Sequence, residues 1–484
     1  MNEAINRAPR PVFGDFVGGQ PVPVGDDVRK FDLVGPQHGS VIGTIAESGQ
    51  AGVDRAVKAA AAAFAANRRQ PAHQRIVWLK AAAAALTKAR DELAALICED
   101  LGKPIRMAQF EVRRGAEFLE LTAAALTQFG GEMLPLDITA PGAGHIGMVR
   151  HVPYGVVAGI TPFNAPVNLL VQKVGPAIAA GNAIVAKPAP AGTRTALRMA
   201  QLFHEAGWPA DLFTVVTGDR ETALALAAHP DVRAVSFTGG TGAGDALARA
   251  AGAKKFLAEL GSNAANIVMA DADVEAAAKK IAAAAFEASG QQCISAQRIL
   301  VARSHLEDFL KHFAAAASKL KVGQATDPKT DVGPMVSQAA ADRVMAMCED
   351  ALAKGARFAL KPRQVGATVS PGIMIDVSEG ARLWREEVFG PIALVAPFDS
   401  IDDALRLAND SDFGLQGAVF TRDLAAALRF SEDFDVGALW INEATRFRLD
   451  IYPFGGMKRS GVGREGVRYA IEEFSQLKFT GITI

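Results

Sequence analysis

Between residues 155 and 260, short apolar runs alternate with helical patterns, and this alternation most constrains the fold. GVVAGI, NAIVAKPA, LFTVVTG and VRAVSFTGG read as buried strands. VQKVGPAIAAG, TALRMAQLFHEAG and ETALALAAHP, between them, repeat apolar residues at the helical period. A nearly continuous apolar strand is covered on both faces, and strands that each give way to a helix join in parallel. The pattern predicts a doubly wound α/β sheet with ligands at the carboxyl ends of its strands. It resumes after about residue 261 with DVEAAAKKIAAAAFEASG, RILVA, SHLEDFLKHFAAAASKL and PIALVAPF, which predicts a second α/β domain. At about 100–200 residues per domain, 484 residues accommodate two or three. Alanine-rich helices are expected over 51–100, ending at the Gly-Lys-Pro of 102–104, and another over 105–128.

Composition narrows the function. The net charge is −1 with both signs mixed, so no basic patch for nucleic acid is expected. No apolar run reaches the roughly 18 residues of a membrane span. The N-terminus lacks the apolar core of a signal peptide. The three cysteines form no CxxC pair and the eight histidines do not gather around them, so neither zinc nor a disulfide framework is expected. Such cysteine usage suits a reducing cytoplasm. Cys98 and Cys348 lie on amphipathic helical patterns and read as small packed residues.

Cys293 lies in the polar, glycine-led stretch GQQCISAQR. On this loop alone it is either a nucleophile, its thiolate favoured by nearby amides, or a packed small residue. SFTGGTGAG places glycines 239, 240, 242 and 244 between a strand and a helix, where a phosphate can sit; it is not a GxGxxG match, because Leu247 occupies the last position. Lys187 follows the strand NAIVA, either facing a ribose or phosphate or simply exposed before a turn. Glu259 ends an apolar run in AELGSN, either as a carboxylate raised by burial to act as a base or as an ordinary terminus charge. Asn164, between two prolines in TPFNAP, can donate to an oxyanion or stabilise the turn.

The order of these motifs is more specific than any one of them. TPFNAP, GNAIVAKPA, FTGGTGAG, ELGSN, GQQCISAQR, EEVFGP and PFGGMKRSG follow one another over nearly the whole chain. The sequence resembles the NAD(P)-dependent aldehyde dehydrogenase superfamily of the hydrolytic, non-phosphorylating kind. The resemblance implies two doubly wound α/β domains with a small β element. Residues 1–130 with 150–260 would form a Rossmann-like dinucleotide-binding domain, 261–470 the catalytic thiol domain, and 131–149 with 471–484 an oligomerisation element of a homodimer or homotetramer. It further implies that Cys293 attacks an aldehyde, that the Asn164 side chain and the Cys293 backbone amide hold the oxyanion, and that Glu259 activates the water that hydrolyses a thioester. Lys173 matches a lysine near the active site. Thr161, Pro162, Phe163, Lys187, Pro190, Gly239, Gly240, Gly244, Glu387 and Phe389 match positions around the cofactor, NAD or NADP. No metal is implied.

Three departures bear on specificity. Pro190 stands where many NAD-preferring relatives carry an acid that would repel a 2′-phosphate, and Arg194 is close enough in sequence to partner one. FTGG replaces FTGS, removing a serine that reaches the pyrophosphate, and ELGSN replaces ELGGK. PFNAP replaces PWNFP, so Ala165 leaves room on the substrate or the nicotinamide side. In the loop INEATRFRLDIYPFGG, Arg446 and Arg448 join Arg114 as candidates for an anionic group on the aldehyde, or for surface or intersubunit salt bridges, such as Arg448 with Asp450 or Glu443. The alternatives are an acylating, coenzyme A-dependent enzyme or a non-catalytic member of the superfamily.

Overall fold

The computed structural model describes residues 10–484. Four helices, Gly49–Asn67, Ala72–Lys88, Arg90–Leu101 and Ile105–Leu126, account for the alanine-rich start. Alanine serves close approach here as well as propensity: Ala60, Ala82, Ala83 and Ala94 are wholly buried between elements. The third helix stops at Gly102, whose φ of 70° is left-handed and whose missing side chain makes room for Pro334.

The first sheet has a parallel core of five strands, in the spatial order Lys255–Glu259, Val232–Thr238, Val156–Thr161, Ala183–Pro188 and Phe213–Val215. The chain starts on the central strand, winds one way to Phe213–Val215, then crosses to the other side. The reversal lies between Val156–Thr161 and Val232–Thr238, so a crevice opens where Thr161 and Thr238 end their strands. The Asn168–Ala180 helix that follows the central strand is buried along its whole length.

The second sheet orders Arg357–Leu360, Gly372–Ile375, Ile392–Phe398, Arg298–Ala302, Ala265–Val268, Gln416–Phe420 and Ala438–Ile441. All neighbours are parallel except the first pair. Of these strands, the sequence pattern had marked only those around RILVA and PIALVAPF.

Two long-range pairings complete the fold. Ser475–Thr483 pairs antiparallel with His145–Pro153 along its full length, and Glu132–Leu134 lies on the far side of that strand. Gly461–Val462 pairs with Lys255–Glu259 at the edge of the first sheet, and helix Val467–Glu473 packs on helices 105–126 and 168–180. The expected 261–470 range therefore runs past the second sheet. Its last dozen or so residues return to the first, because the strand ending at Glu259 has an open edge that needs a partner. Among the described residues, no helix is long and apolar enough to cross a membrane, and no group of histidine, cysteine and acidic side chains could hold a metal.

Candidate active site

The cleft between the sheets is built from the carboxyl ends of strands in the first and the loops that precede strands in the second. Asn164 lies three residues beyond Val156–Thr161, and Cys293 lies five residues before Arg298–Ala302. They meet across the cleft: Asn164 Nδ2 donates to the Gln291 carbonyl at 3.0 Å. This fixes the amide plane and uses one of its two N–H groups. The Cys293 backbone N–H has no partner among the described residues.

The thiol loop begins with a left-handed turn. Ala288, Ser289 and Gly290 have φ of 50°, 57° and 66°. Two consecutive non-glycine residues in this region are strained, and the surroundings hold them there. Ser289 Oγ donates to Gly333 O at 2.8 Å, Val336 N–H donates to Gln291 Oε1 at 3.0 Å, and Ser295 Oγ donates to the last carbonyls of the preceding helix. Ile294 is buried with Leu415 and Phe454, and half-buried Cys293 packs against that cluster. Burial, with the Glu387 carboxylate second, pushes the Cys293 thiol up to about 12, while Arg448 pulls the other way.

Glu259 closes the outermost strand of the parallel core of the first sheet, buried, with Oε2 lacking a hydrogen-bond partner. Burial and the neighbouring Glu465 hold its carboxyl well above the usual range, against Arg448 and Lys173. Lys173 is buried in the central helix, donating to Ser236 Oγ at 3.0 Å and Thr238 Oγ1 at 2.8 Å, with Glu465 at 3.6 Å. Desolvation lowers its pKa. A carboxylate raised by burial is a stronger base toward water than a solvated one.

A cavity of about 530 Å³ is lined by Cys293, Asn164 and Ala165 together with Arg114, Arg446 and Arg448. All three arginines already face carboxylates. Arg114 grips Asp450 through Nε (2.9 Å) and Nη2 (2.6 Å), and Arg446 pairs with Glu287. Arg448 donates Nη2 to Glu465 (2.9 Å) and Gln172 (3.2 Å) and lies 3.6 Å over the Phe454 ring. Asp450 is 3.7 Å from Arg448, whereas Glu443 is taken by Lys280. Arg446 and Arg448 each keep a buried Nε without a partner. The pairing of Arg448 with Asp450 was one of the alternatives read from the sequence; Glu465 and Gln172 were not singled out, because they come from segments that meet this loop only in the fold.

A second cavity, of about 450 Å³, lies at the reversal of the first sheet, lined by Thr161, Pro162, Phe163, Lys187, Pro190, Gly239 and Gly240. A phosphate-bearing dinucleotide fits these residues. Lys187 is 5% exposed, pushed down to about 8 by burial against the pull of Asp219 and Glu47, and has no partner among the described residues. A Cβ at Gly240 or Gly242 would meet no protein atom within 4 Å, so the backbone opens onto space at the start of helix Thr241–Ala251. Thr241 Oγ1 there is buried without a partner. Glu387 accepts from Ser262 N–H at 2.9 Å and is raised by burial to about 7; neither it nor Phe389, both expected around the cofactor, is among the residues lining this cavity. Phe389 sets its ring edge-on to Phe163, 5.8 Å away.

Two expectations need correction. Gly244 does not line the cavity; it faces inward, where a Cβ would meet Leu260 at 2.6 Å, so its smallness serves helix-to-strand packing. Arg194 is turned away from the cavity, held by Glu99 at 2.8 Å and Asp100 at 3.0 Å. Asp100 is wholly buried and needs that cation.

The described aldehyde dehydrogenase family model matches residues 24–480. A 3-sulfolactaldehyde dehydrogenase from Priestia aryabhattai is 40% identical over 88% of this chain and 89% of its own. Aldehyde dehydrogenase 21 from Physcomitrella patens, solved with its reaction product succinate, has a TM-score of 0.93 at 31% identity, covering 98% of this chain and 99% of its own. An NADP-dependent glyceraldehyde-3-phosphate dehydrogenase from Bacillus halodurans, solved with NADP, has a TM-score of 0.94 at 30% identity, covering 97% and 99%. With thiol, carboxyl and dinucleotide cavity arranged around one cleft, the chain belongs to the aldehyde dehydrogenase family. It is an oxidoreductase of the NAD(P)-dependent kind, acting on an aldehyde group.

Proposed function

We propose that this chain oxidises a small aldehyde carrying a carboxylate, sulfonate or phosphonate to the free carboxylic acid. The observation that carries this reading is one cavity lined both by Cys293 and Asn164 and by Arg114, Arg446 and Arg448. Cys293 gives up its thiol proton to solvent, and its Sγ attacks the carbonyl carbon to give a thiohemiacetal whose oxygen carries the negative charge. The developing oxyanion accepts the free N–H of Asn164 and the unpaired N–H of Cys293, donors fixed before the charge appears. The dinucleotide, when bound, supplies the hydride acceptor, and the product on the protein is a Cys293 thioester. Glu259, with its raised carboxyl and open Oε2, takes a proton from the water that attacks this thioester, releasing the acid and restoring the thiol. Lys173 and Glu465 sit beside Glu259 as the route for that proton. An anionic tail draws support from the arginines and from the sulfonate and carboxylate compounds in the relatives' names.

The test is a pair of variants assayed on short anionic and neutral aldehydes. Cys293→Ala abolishes turnover while dinucleotide binding survives. Glu259→Gln gives a burst of reduced cofactor followed by slow steady release. Turnover retained without Cys293 would overturn the reading, and strict dependence on coenzyme A would assign the thioester to acyl transfer.

A further inference from the structure

We propose that Gln297 is a positioning residue for the reaction: its side-chain amide clamps the turn that carries Glu387 and fixes that carboxylate against the thiol loop and the Gly261–Ser262 backbone. The proposal rests on the reading of Cys293 as the nucleophile and names what holds a second charged group beside it. Gln297 lies four residues after Cys293 and is 4% exposed. It lines neither cavity, so its part is to place other groups.

One planar amide serves both sides of Glu387. Gln297 Nε2 donates to the Glu386 carbonyl at 2.8 Å, and Gln297 Oε1 accepts from Val388 N–H at 2.9 Å. In extended backbone that carbonyl and that N–H point the same way, so the amide stands in for the peptide group of a partner strand. Glutamate would offer the carbonyl no donor, and asparagine is one methylene too short to bridge the pair. From the solvent side, Arg343 of helix Gln338–Ala353 donates to the Glu387 carbonyl at 2.8 Å and to the Val388 carbonyl at 3.0 Å. The next residue, Phe389, has φ 50°, which a phenylalanine keeps only where its surroundings impose it.

The clamp ties three loops together. Glu387 Oε1 accepts from Ser262 N–H at 2.9 Å, three residues past Glu259, and a Cβ at Gly261 would meet Glu387 Oε2 at 3.0 Å. The thiol loop meets the same turn again at its other end, where a Cβ at Gly290 would lie 2.2 Å from the Gly390 carbonyl oxygen. Gln297 supplies the polar link between the two. The charged groups that face the thiol are Glu387, Arg448, Glu259 and Glu465; after burial, Glu387 does most to raise it, and only Arg448 opposes. Where Glu387 stands therefore bears directly on the reactivity of Cys293.

The test is a double-mutant cycle on the full chain, read by iodoacetamide labelling of Cys293 at one mildly alkaline pH and resolved from Cys98 and Cys348 by peptide mass mapping. Gln297→Met keeps the volume and removes both bonds. It is expected to speed labelling about threefold or more, as Glu387→Gln does, because the carboxylate is no longer held at the thiol. The double variant is expected to label no faster than Glu387→Gln alone. In Gln297→Met, kcat falls about tenfold while the aldehyde KM stays within about twofold, since neither Gln297 nor residues 386–388 line the aldehyde cavity. Independent, multiplying effects of the two substitutions on labelling overturn the proposal, as does labelling at the wild-type rate in Gln297→Met. If Gln297→Met also exposes Cys98 and Cys348 to label, Gln297→Asn is the second variant. The same general exposure in both would make Gln297 a residue of the fold alone and overturn the proposal. Turnover surviving Cys293→Ala would sink the reading of the nucleophile, and the labelling cycle, which needs no turnover, still decides what holds Glu387.

Discussion

Cys293 is surrounded by groups that disfavour its charged form. Burial and Glu387 push the thiol up to about 12, and Arg448 alone among its neighbours opposes them. A raised pKa means less thiolate at any given pH, so the unliganded protein should be a poor target for alkylation. Alkylation of Cys293 by iodoacetamide is expected to rise about tenfold per unit from about pH 7 to 10, with no plateau, because only the thiolate reacts. Peptide mass mapping separates this site from Cys98 and Cys348, which are buried. Glu387→Gln removes a negative neighbour and should speed the reaction at a fixed mildly alkaline pH. A plateau near the ordinary thiol range would mean that the loop already favours the thiolate. The residue types of this site were legible because the motifs keep their order along the chain. Their electrostatics were not. The Glu465 that raises Glu259 lies about two hundred positions further on, and the Asp100 that holds Arg194 lies nearly a hundred earlier. Without those partners the sequence could not show that Arg194 is engaged.

At the scale of elements, the thiol is aimed by a turn that few residues can form. Gly290 has φ 66°, and a side chain there would collide with the Gly390 carbonyl, where the thiol loop crosses the EEVFGP loop. Gly290→Ala therefore carries both the strain of a left-handed alanine, about 1 kcal/mol or more, and a backbone clash that must displace one of the two loops. We expect a lower melting temperature and a fall in kcat of about a hundredfold or more, because loss of near-attack placement is costly. Gly240→Ala is the control: a Cβ there meets nothing within 4 Å, so the fold is kept and dinucleotide binding weakens. Equal effects of the two on melting would remove the clash as the cause. The strands Val156–Thr161 and Ala183–Pro188 were readable because both faces are apolar. The strand Gly461–Val462 was not, since two residues carry no period, and its pairing is dictated by the open edge at Glu259.

At the scale of the molecule, one surface remains without an intramolecular reason. The sheet of Glu132–Leu134, His145–Pro153 and Ser475–Thr483 exposes Met133, Leu477 and Phe479, and Ile138 stands beside it 80% exposed. Leu477 and Phe479 are two apart on one strand and share a face. A three-stranded sheet gains independent stability by packing an apolar face, and large exposed apolar patches mark association surfaces. The occupant we assign is a second copy of this chain, because the tail's full-length pairing with His145–Pro153 builds a rigid ledge and not a loose end. Replacing Leu477 and Phe479 together with glutamate places charge on that face while every backbone pairing stays available. Sedimentation velocity should show the wild type as a dimer or tetramer and the double variant as a monomer. Circular dichroism and dinucleotide affinity should be unchanged, since both cavities lie within one chain. If the variant keeps the wild-type mass, the sheet is not the contact. If it loses affinity for the dinucleotide along with its mass, association also steadies the first sheet, through the Val467–Glu473 helix that joins that sheet to the tail.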